Sequence, residues 1–206
     1  MGEGPFGALL AVLERARELG FLGPGPLEPH VARALDALPL IPSGACRALD
    51  LGSGGGLPGL PLALACPRLE WVLLEGSVTR GRYLSTAVAS LGMAERVEVV
   101  AARAEEAGRR PGMRAGFDLV VARSFGPPAV TAECGAPFLQ VNGQLVVAEP
   151  PGGATGRWSE EGLGLLGMRL GEAVSEPSSF QVLVQDRLCP DRYPRRVGVP
   201  AKRPLF

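Results

Sequence analysis

The ten residues Asp50-Leu51-Gly52-Ser53-Gly54-Gly55-Gly56-Leu57-Pro58-Gly59 concentrate more chemistry than any other stretch of the chain. Glycine lets a backbone turn tightly and approach a ligand closely. A helix that starts after such a turn offers unpaired N–H groups and a partial positive charge. A strand running into glycines and out into a helix therefore suits a nucleotide-like ligand. Two templates fit the letters. Gly54-x-Gly56-x-x-Gly59 matches the dinucleotide fingerprint, and Asp50-x-Gly52-x-Gly54-x-Gly56 matches the first motif of methyltransferases that use S-adenosylmethionine. Glu75 lies 21 residues beyond Gly54 at the end of the next strand, where an acid can accept hydrogen bonds from the ribose of either cofactor. Asp50 tilts the choice, because a carboxylate ahead of the glycines repels a pyrophosphate but suits the cationic methionyl end of S-adenosylmethionine. A nicotinamide cofactor, or a loop with no cofactor, stays open as an alternative. Both acids also have plain structural roles open to them: Asp50 can cap the turn, and Glu75 can be a solvated strand end.

Apolar runs and chain breakers outline the elements that would hold this loop. Phe6, Leu9, Leu10, Leu13 and Ala16 recur at helical spacing and stop at Gly20. Pro29 suits the first turn of a second helix that buries Val31, Leu35 and Leu38 and ends at Pro39 and Pro42. Residues 1–45 are thus expected to form a small helical cap, and residues 46–206 the main domain. From Arg47 strands and helices alternate, with strands at 48–51, 71–74, 97–100, 117–122 and 144–148 and helices near 57–66, 78–91 and 129–138. That order builds a parallel sheet covered on both faces. A weak helix is expected from Ser159, and residues 180–185 alternate at period two, as an antiparallel edge strand does. The Gly/Pro-rich stretch 149–156 reads as a loop.

With 206 residues, 46% of them apolar, the chain is sized for one domain with its own core. No apolar run reaches the roughly 20 residues of a membrane span. Glu14, Arg15, Arg17 and Glu18 interrupt the first helix, so a signal peptide is not expected. The expectation is a cytoplasmic monomer without membrane contact. Cys46, Cys66, Cys134 and Cys189 lack metal-ligand spacing, and His30, the one histidine, cannot complete a zinc set. No metal is expected, and the cysteines read as reduced, mostly buried thiols. Zero net charge argues against bulk attraction to nucleic acid, but the last twenty residues set six Arg and Lys against Asp191 alone.

Asp50 through Ala63 is similar to the signature of the RsmG (GidB) family, which methylates N7 of a guanine in 16S ribosomal RNA; the Leu57-Pro58-Gly59 that follows the glycines is its most specific part. Four further stretches agree in order and spacing. Glu75 to Leu84 resembles the family's acidic strand end followed by a basic pair and an aromatic-Leu, matched by Arg80, Tyr83 and Leu84. Arg103-Ala104-Glu105-Glu106 resembles the segment that meets the adenine. Phe117 to Phe125 resembles the fourth strand with its arginine, and Arg192 to Leu205 resembles the tail. The likeness covers about residues 45 to 206. It departs at the N-terminus, where the family's Asn-Leu-Thr and His-x-x-Asp-Ser-Leu stretches are absent. It departs again at Thr79, which replaces the first of the basic pair, and at Glu149-Pro150-Pro151-Gly152, where members often carry Lys-Gly.

The resemblance implies an α/β, Rossmann-like doubly wound fold: a mostly parallel seven-stranded sheet with an antiparallel edge, plus the N-terminal cap. It implies an enzyme that uses S-adenosylmethionine and acts on ribosomal RNA or the small ribosomal subunit. Asp50, Gly52, Ser53, Gly54, Gly56, Leu57, Glu75, Ala104, Glu105 and Arg123 would then meet the cofactor. Arg123 would also serve in catalysis and contact substrate, its plainer alternative being a salt bridge to Asp118 or Glu149. Arg192, Arg195, Arg196 and Lys202 would hold RNA. Phe125 and Tyr193 could stack on a base or pack in the core, and His30 reads as a helix-surface residue. The departures keep two other functions open, a methyltransferase of a small molecule or another RNA and a non-catalytic module that binds cofactor or RNA.

Overall fold

The chain is described by a computed structural model over residues 5–150, 153 and 156–206. Two N-terminal helices, α1 (Pro5–Glu18) and α2 (Glu28–Leu35), precede β1 (Arg47–Leu51), α3 (Gly59–Ala65), β2 (Glu70–Glu75), α4 (Val78–Ser90) and β3 (Val97–Ala101). Then come α5 (Ala104–Ala107), β4 (Phe117–Arg123), α6 (Pro128–Gly135), β5 (Leu139–Ala148), α7 (Glu160–Leu165), β6 (Met168–Val174), β7 (Phe180–Gln185) and α8 (Val199–Lys202). The seven strands lie in the order β3-β2-β1-β4-β5-β7-β6. The first five are parallel, and β7 pairs antiparallel with both β5 and β6.

Side chains alternate across each strand, so the sheet carries two apolar layers. Leu49, Leu51, Val72, Leu74, Val120 and Ala122 face Ala132 of α6 and Phe138. Ala48, Trp71, Leu73, Leu119 and Val121 face Leu60 of α3 and Leu84 of α4, and the same layer takes in Leu9, Leu13 and Val31 of the N-terminal helices. The cap thus shares its core with the sheet. A Ser178 Oγ to Asp36 Oδ2 hydrogen bond of 2.5 Å joins it to the β6–β7 connection as well.

Three expectations need correction. Residues 180–185 do form an antiparallel strand, but β6 is the edge and β7 lies inside the sheet. The stretch 168–174 did not read as a strand because Gly171 and Glu172 interrupt the alternation that Met168, Arg169 and Leu170 begin; its register slips between Leu170 and Ala173, a disruption that edge strands tolerate. The helix near 57–66 begins only at Gly59, since the backbone turns through Gly54 and Gly56 first. Burial holds for two cysteines, Cys134 and Cys189; Cys46 is exposed and Cys66 is partly so, and all four are free thiols. Burial pushes the Cys189 thiol up to about 11. The loop expected at 149–156 falls partly outside the described residues, Pro151 and Gly152 among them. Among the described residues no helix is long and apolar enough to cross a membrane, and no three potential metal ligands cluster.

Candidate active site

Strand order reverses between β1 and β4, and ligands of such sheets bind at the carboxyl ends of the strands beside that switch. β1 delivers Asp50 and the glycine loop there. The loop is tied sideways to β2, for Gly52 N and Ser53 N both donate to Leu74 O at 2.9 and 3.0 Å. Gly52 has φ +77°, and a Cβ there would stand 2.6 Å from the Phe125 ring. A glycine is therefore required at that position both for the turn and for the close approach. Glu75, at the end of β2, fastens the loop's far side. Its Oε2 accepts from Gly54 N at 2.9 Å and its Oε1 from Ser77 N at 2.8 Å, with Arg80 Nε 3.3 Å away.

Asp50 lies beneath the loop and off the cleft wall. It is fully buried, and Oδ2 accepts from Gly59 N at 3.1 Å. A Cβ on Gly59 would come within 2.4 Å of that oxygen, so Gly59 is fixed by this contact. Asp50 Oδ1 has no partner among the described residues. Burial raises the Asp50 carboxyl from 3.8 to about 7, against the lowering effect of Ser53 and the Gly59 N–H. Because the folded value is raised, the unfolded chain loses this proton first; the stabilisation present below the unfolded pKa fades as pH climbs through the folded one. We expect Asp50→Asn to gain about 3 kcal/mol relative to the parent chain between pH 4 and 7. Denaturant melts of both proteins across that range measure the difference; a constant offset would show that Asp50 does not titrate there.

The cleft has a volume of about 510 Å³, within the roughly 300–1,000 Å³ of small-molecule sites. Gly52, Ser53, Gly54, Leu57, Glu75 and Arg123 all line it. Gly56 is buried behind the wall with φ +108°, where a Cβ would strike Leu60 at 2.4 Å. Ala104 and Glu105 do not reach the wall; Arg103 does. Glu105 Oε1 instead accepts from Gly198 N of the tail at 3.0 Å. These residues fit S-adenosylmethionine on three counts. A Cβ on Gly54 would stand in open space, its nearest contact being Gly52 O at 3.8 Å, so a ligand can approach the backbone there. Glu75 is a carboxylate with lone pairs beyond its two amide bonds, and Phe21, Leu22 and Phe125 add apolar wall.

The cap supplies part of this wall, which the sequence did not indicate. Leu22 covers Gly55 so closely that a Cβ would meet it at 2.6 Å. Phe21 stacks edge-on to Tyr83 at 5.5 Å. His30, read as a surface residue, lines the cleft, and its Nδ1 sits 2.8 Å from Arg123 Nη2. Burial, then Arg123 and Arg33, lower the His30 pKa, which keeps the ring neutral with Nδ1 as the acceptor. Arg123 therefore pairs with histidine and not with the acids anticipated for it. Asp118 is taken by Cys46 N and Arg47 N at 2.9 Å. Glu149 accepts from Trp158 Nε1 at 2.8 Å and pairs with Arg157.

A second cavity of about 240 Å³ opens between the ends of β4 and β5 and shares Arg123, Ser124 and Phe125 with the cleft. The basic tail lies elsewhere and is built in. Tyr193 is 6% exposed and packs in the core, so base stacking is not its part. Arg195 is not free for RNA: its N and Nε donate to Glu133 Oε1 at 2.9 and 2.8 Å and its Nη2 to Oε2 at 2.5 Å. Arg192, Arg196 and Lys202 are exposed.

Comparison with known proteins agrees with this geometry. Residues 25–149 match the family model GidB, described as rRNA small subunit methyltransferase G. A relative in Rubrobacter xylanophilus named ribosomal RNA small subunit methyltransferase G is 36% identical, over 97% of this chain and 81% of its own length. Solved structures are similar at the level of fold. An O-methyltransferase from Bacillus cereus in complex with SAH matches with TM-score 0.60 at 14% identity, over 87% of this chain and 91% of that one. A T. thermophilus 16S rRNA methyltransferase in complex with AdoMet and guanosine matches with TM-score 0.53 at 23% identity, over 79% of this chain and 40% of that one.

Proposed function

Since this chain belongs to the GidB family, the small-subunit ribosomal RNA methyltransferases G, we propose that it moves a methyl group from S-adenosylmethionine to N7 of a guanine in small-subunit ribosomal RNA. The observation that carries the reading is the junction of the glycine-loop cleft with a second cavity at Arg123.

The bound cofactor supplies a methyl group activated on a sulfonium. The backbone of Gly52, Ser53 and Gly54, with Leu57, lines its methionyl end, and Gly56 makes the turn. Asp50 is a positioning residue that holds the loop to α3 through Gly59. Glu75 accepts from the ribose hydroxyls. Ala104 and Glu105 back the adenine end behind Arg103. Guanine N7 carries a free lone pair and no proton, so transfer there requires no general base. Alignment and exclusion of water are what the protein contributes. Arg123 orients the acceptor nucleotide, and Arg192, Arg196 and Lys202 meet RNA phosphates at longer range. Residues 1–45 serve as a cap on the cofactor cleft of the main domain, and the enzyme works as a cytoplasmic monomer.

The purified chain, S-adenosylmethionine labelled in its methyl group and unmodified 30S particles form the test. Label should enter the RNA as N7-methylguanine, and the same modification should vanish from ribosomes of cells without the gene. Cofactor binding with no transfer to RNA would favour a non-catalytic module or a different acceptor.

A further inference from the structure

The second cavity holds more positive charge than its surroundings neutralise. Its ionisable wall residues are Arg33, Arg123, Glu149 and Arg157. Glu149 and Arg157 form an ion pair, which sets one negative charge against one positive. Arg33 and Arg123 have no carboxylate partner among the described residues. Arg123 donates to the neutral His30 ring and to His30 O at 3.4 Å. Arg33 donates to the backbone carbonyl of Glu149, and its Nε is buried with no partner. The two guanidiniums line one cavity, and burial, then the charge of Arg33, lower the Arg123 pKa. α2 of the cap brings in one, and the end of β4 the other. Half-buried like charges cost free energy unless an anion joins them, and paired guanidinium forks suit the tetrahedral oxygens of a phosphate.

We propose that Arg33 and Arg123 form a clamp for a phosphate of the RNA strand, seating it beside the cofactor cleft. The inference rests on the RNA methyltransferase reading above. The rival anion is the carboxylate of the cofactor itself. Arg33 argues against it, because it lines the second cavity and not the glycine-loop cleft.

Arg33→Gln is the test, with 30S particles as substrate and cofactor binding followed separately by calorimetry. The KM for particles should rise about 10-fold near 0.15 M salt, the worth of one charge-assisted contact. The slope of log(kcat/KM) against log salt should fall by about 0.7–0.9, one phosphate's share. The cofactor Kd should stay within about 2-fold. Arg169→Gln, far off on the sheet edge, should leave all three unchanged. A matching measurement needs no variant: neutral methylphosphonate links flanking the methylated nucleotide should cost the parent enzyme the same 10-fold at one position and cost Arg33→Gln nothing there.

An unchanged KM and salt slope in Arg33→Gln, or no sensitive link in the parent enzyme, overturns the clamp. A weakened cofactor Kd with RNA parameters intact overturns it in favour of the cofactor carboxylate. Failure of the parent chain to methylate any small-subunit RNA removes the functional reading, and the clamp with it.

Discussion

Arg195→Ala is expected to destabilise the fold by about 3–5 kcal/mol, the usual cost of stripping one partner from a buried ion pair. In a chain of this size that corresponds to a drop of roughly 10–15 °C in Tm. Glu133 on α6 is fully buried, and Arg195 fills both of its oxygens through one backbone and two guanidinium donors. With alanine in place, a carboxylate is left in the core without its counter-charge. Arg195 also donates to Arg203 O at 2.7 Å, so the tail loses an anchor as well. Arg196 is the control. Its side chain is exposed and has no ion pair among the described residues, so Arg196→Ala should stay within about 0.5 kcal/mol. Converting both members of the pair to apolar residues should recover much of the loss, since the penalty belongs to the stranded charge. Thermal melts of the four proteins decide it. Equal losses in Arg195→Ala and Arg196→Ala would mean that the tail is not held through Glu133.

That pair also shows where reading the sequence ends. The arginines of the tail share one composition and one local pattern. Arg195 becomes structural only because Glu133, 62 residues earlier, is aimed at it across α6. Nothing in the spacing of the tail encodes that meeting. What was legible rested on local rules. β1 to β5 and their helices follow from apolar runs broken by glycine and proline, and the strand switch point then fixes where Gly52 to Gly54, Glu75 and Arg123 converge. The sense of a local motif was still open. Asp50 could face a ligand or hold a turn, and the 3.1 Å bond by which Gly59 N holds one of its oxygens is not written in the letters. Contacts between the cap and the sheet were out of reach. Leu22 over Gly55, and His30 and Arg33 around Arg123 and Glu149, depend on how α1 and α2 lie on α3, and a helical period does not state that.

Glu75 is where the largest loss of cofactor affinity is expected. Most strand-end acids offer a ligand one free carboxylate. This one already organises the site, because its two oxygens hold Gly54 N and Ser77 N, the amides on either side of the cleft wall. Glu75→Gln keeps the size and one acceptor but turns a donor toward one of those N–H groups. That donor-donor contact forces either the glycine loop or the start of α4 to move. It also removes the negative charge that fixes Arg80 and the acceptor intended for the ribose. Two charge-assisted bonds at about 1.5–3 kcal/mol each set the scale. Part of the loss falls on the folded state itself, so a rise in Kd for S-adenosylmethionine of about 100-fold is the expected calorimetric result. Arg80→Gln separates the contributions. It deletes the partner of Glu75 yet leaves both amide bonds, and it should weaken binding less than about 10-fold. If Glu75→Gln binds the cofactor as tightly as the parent chain, the ribose does not meet this carboxylate, and a ligand with its methionyl end on the glycine loop and its ribose at Glu75 is the wrong orientation.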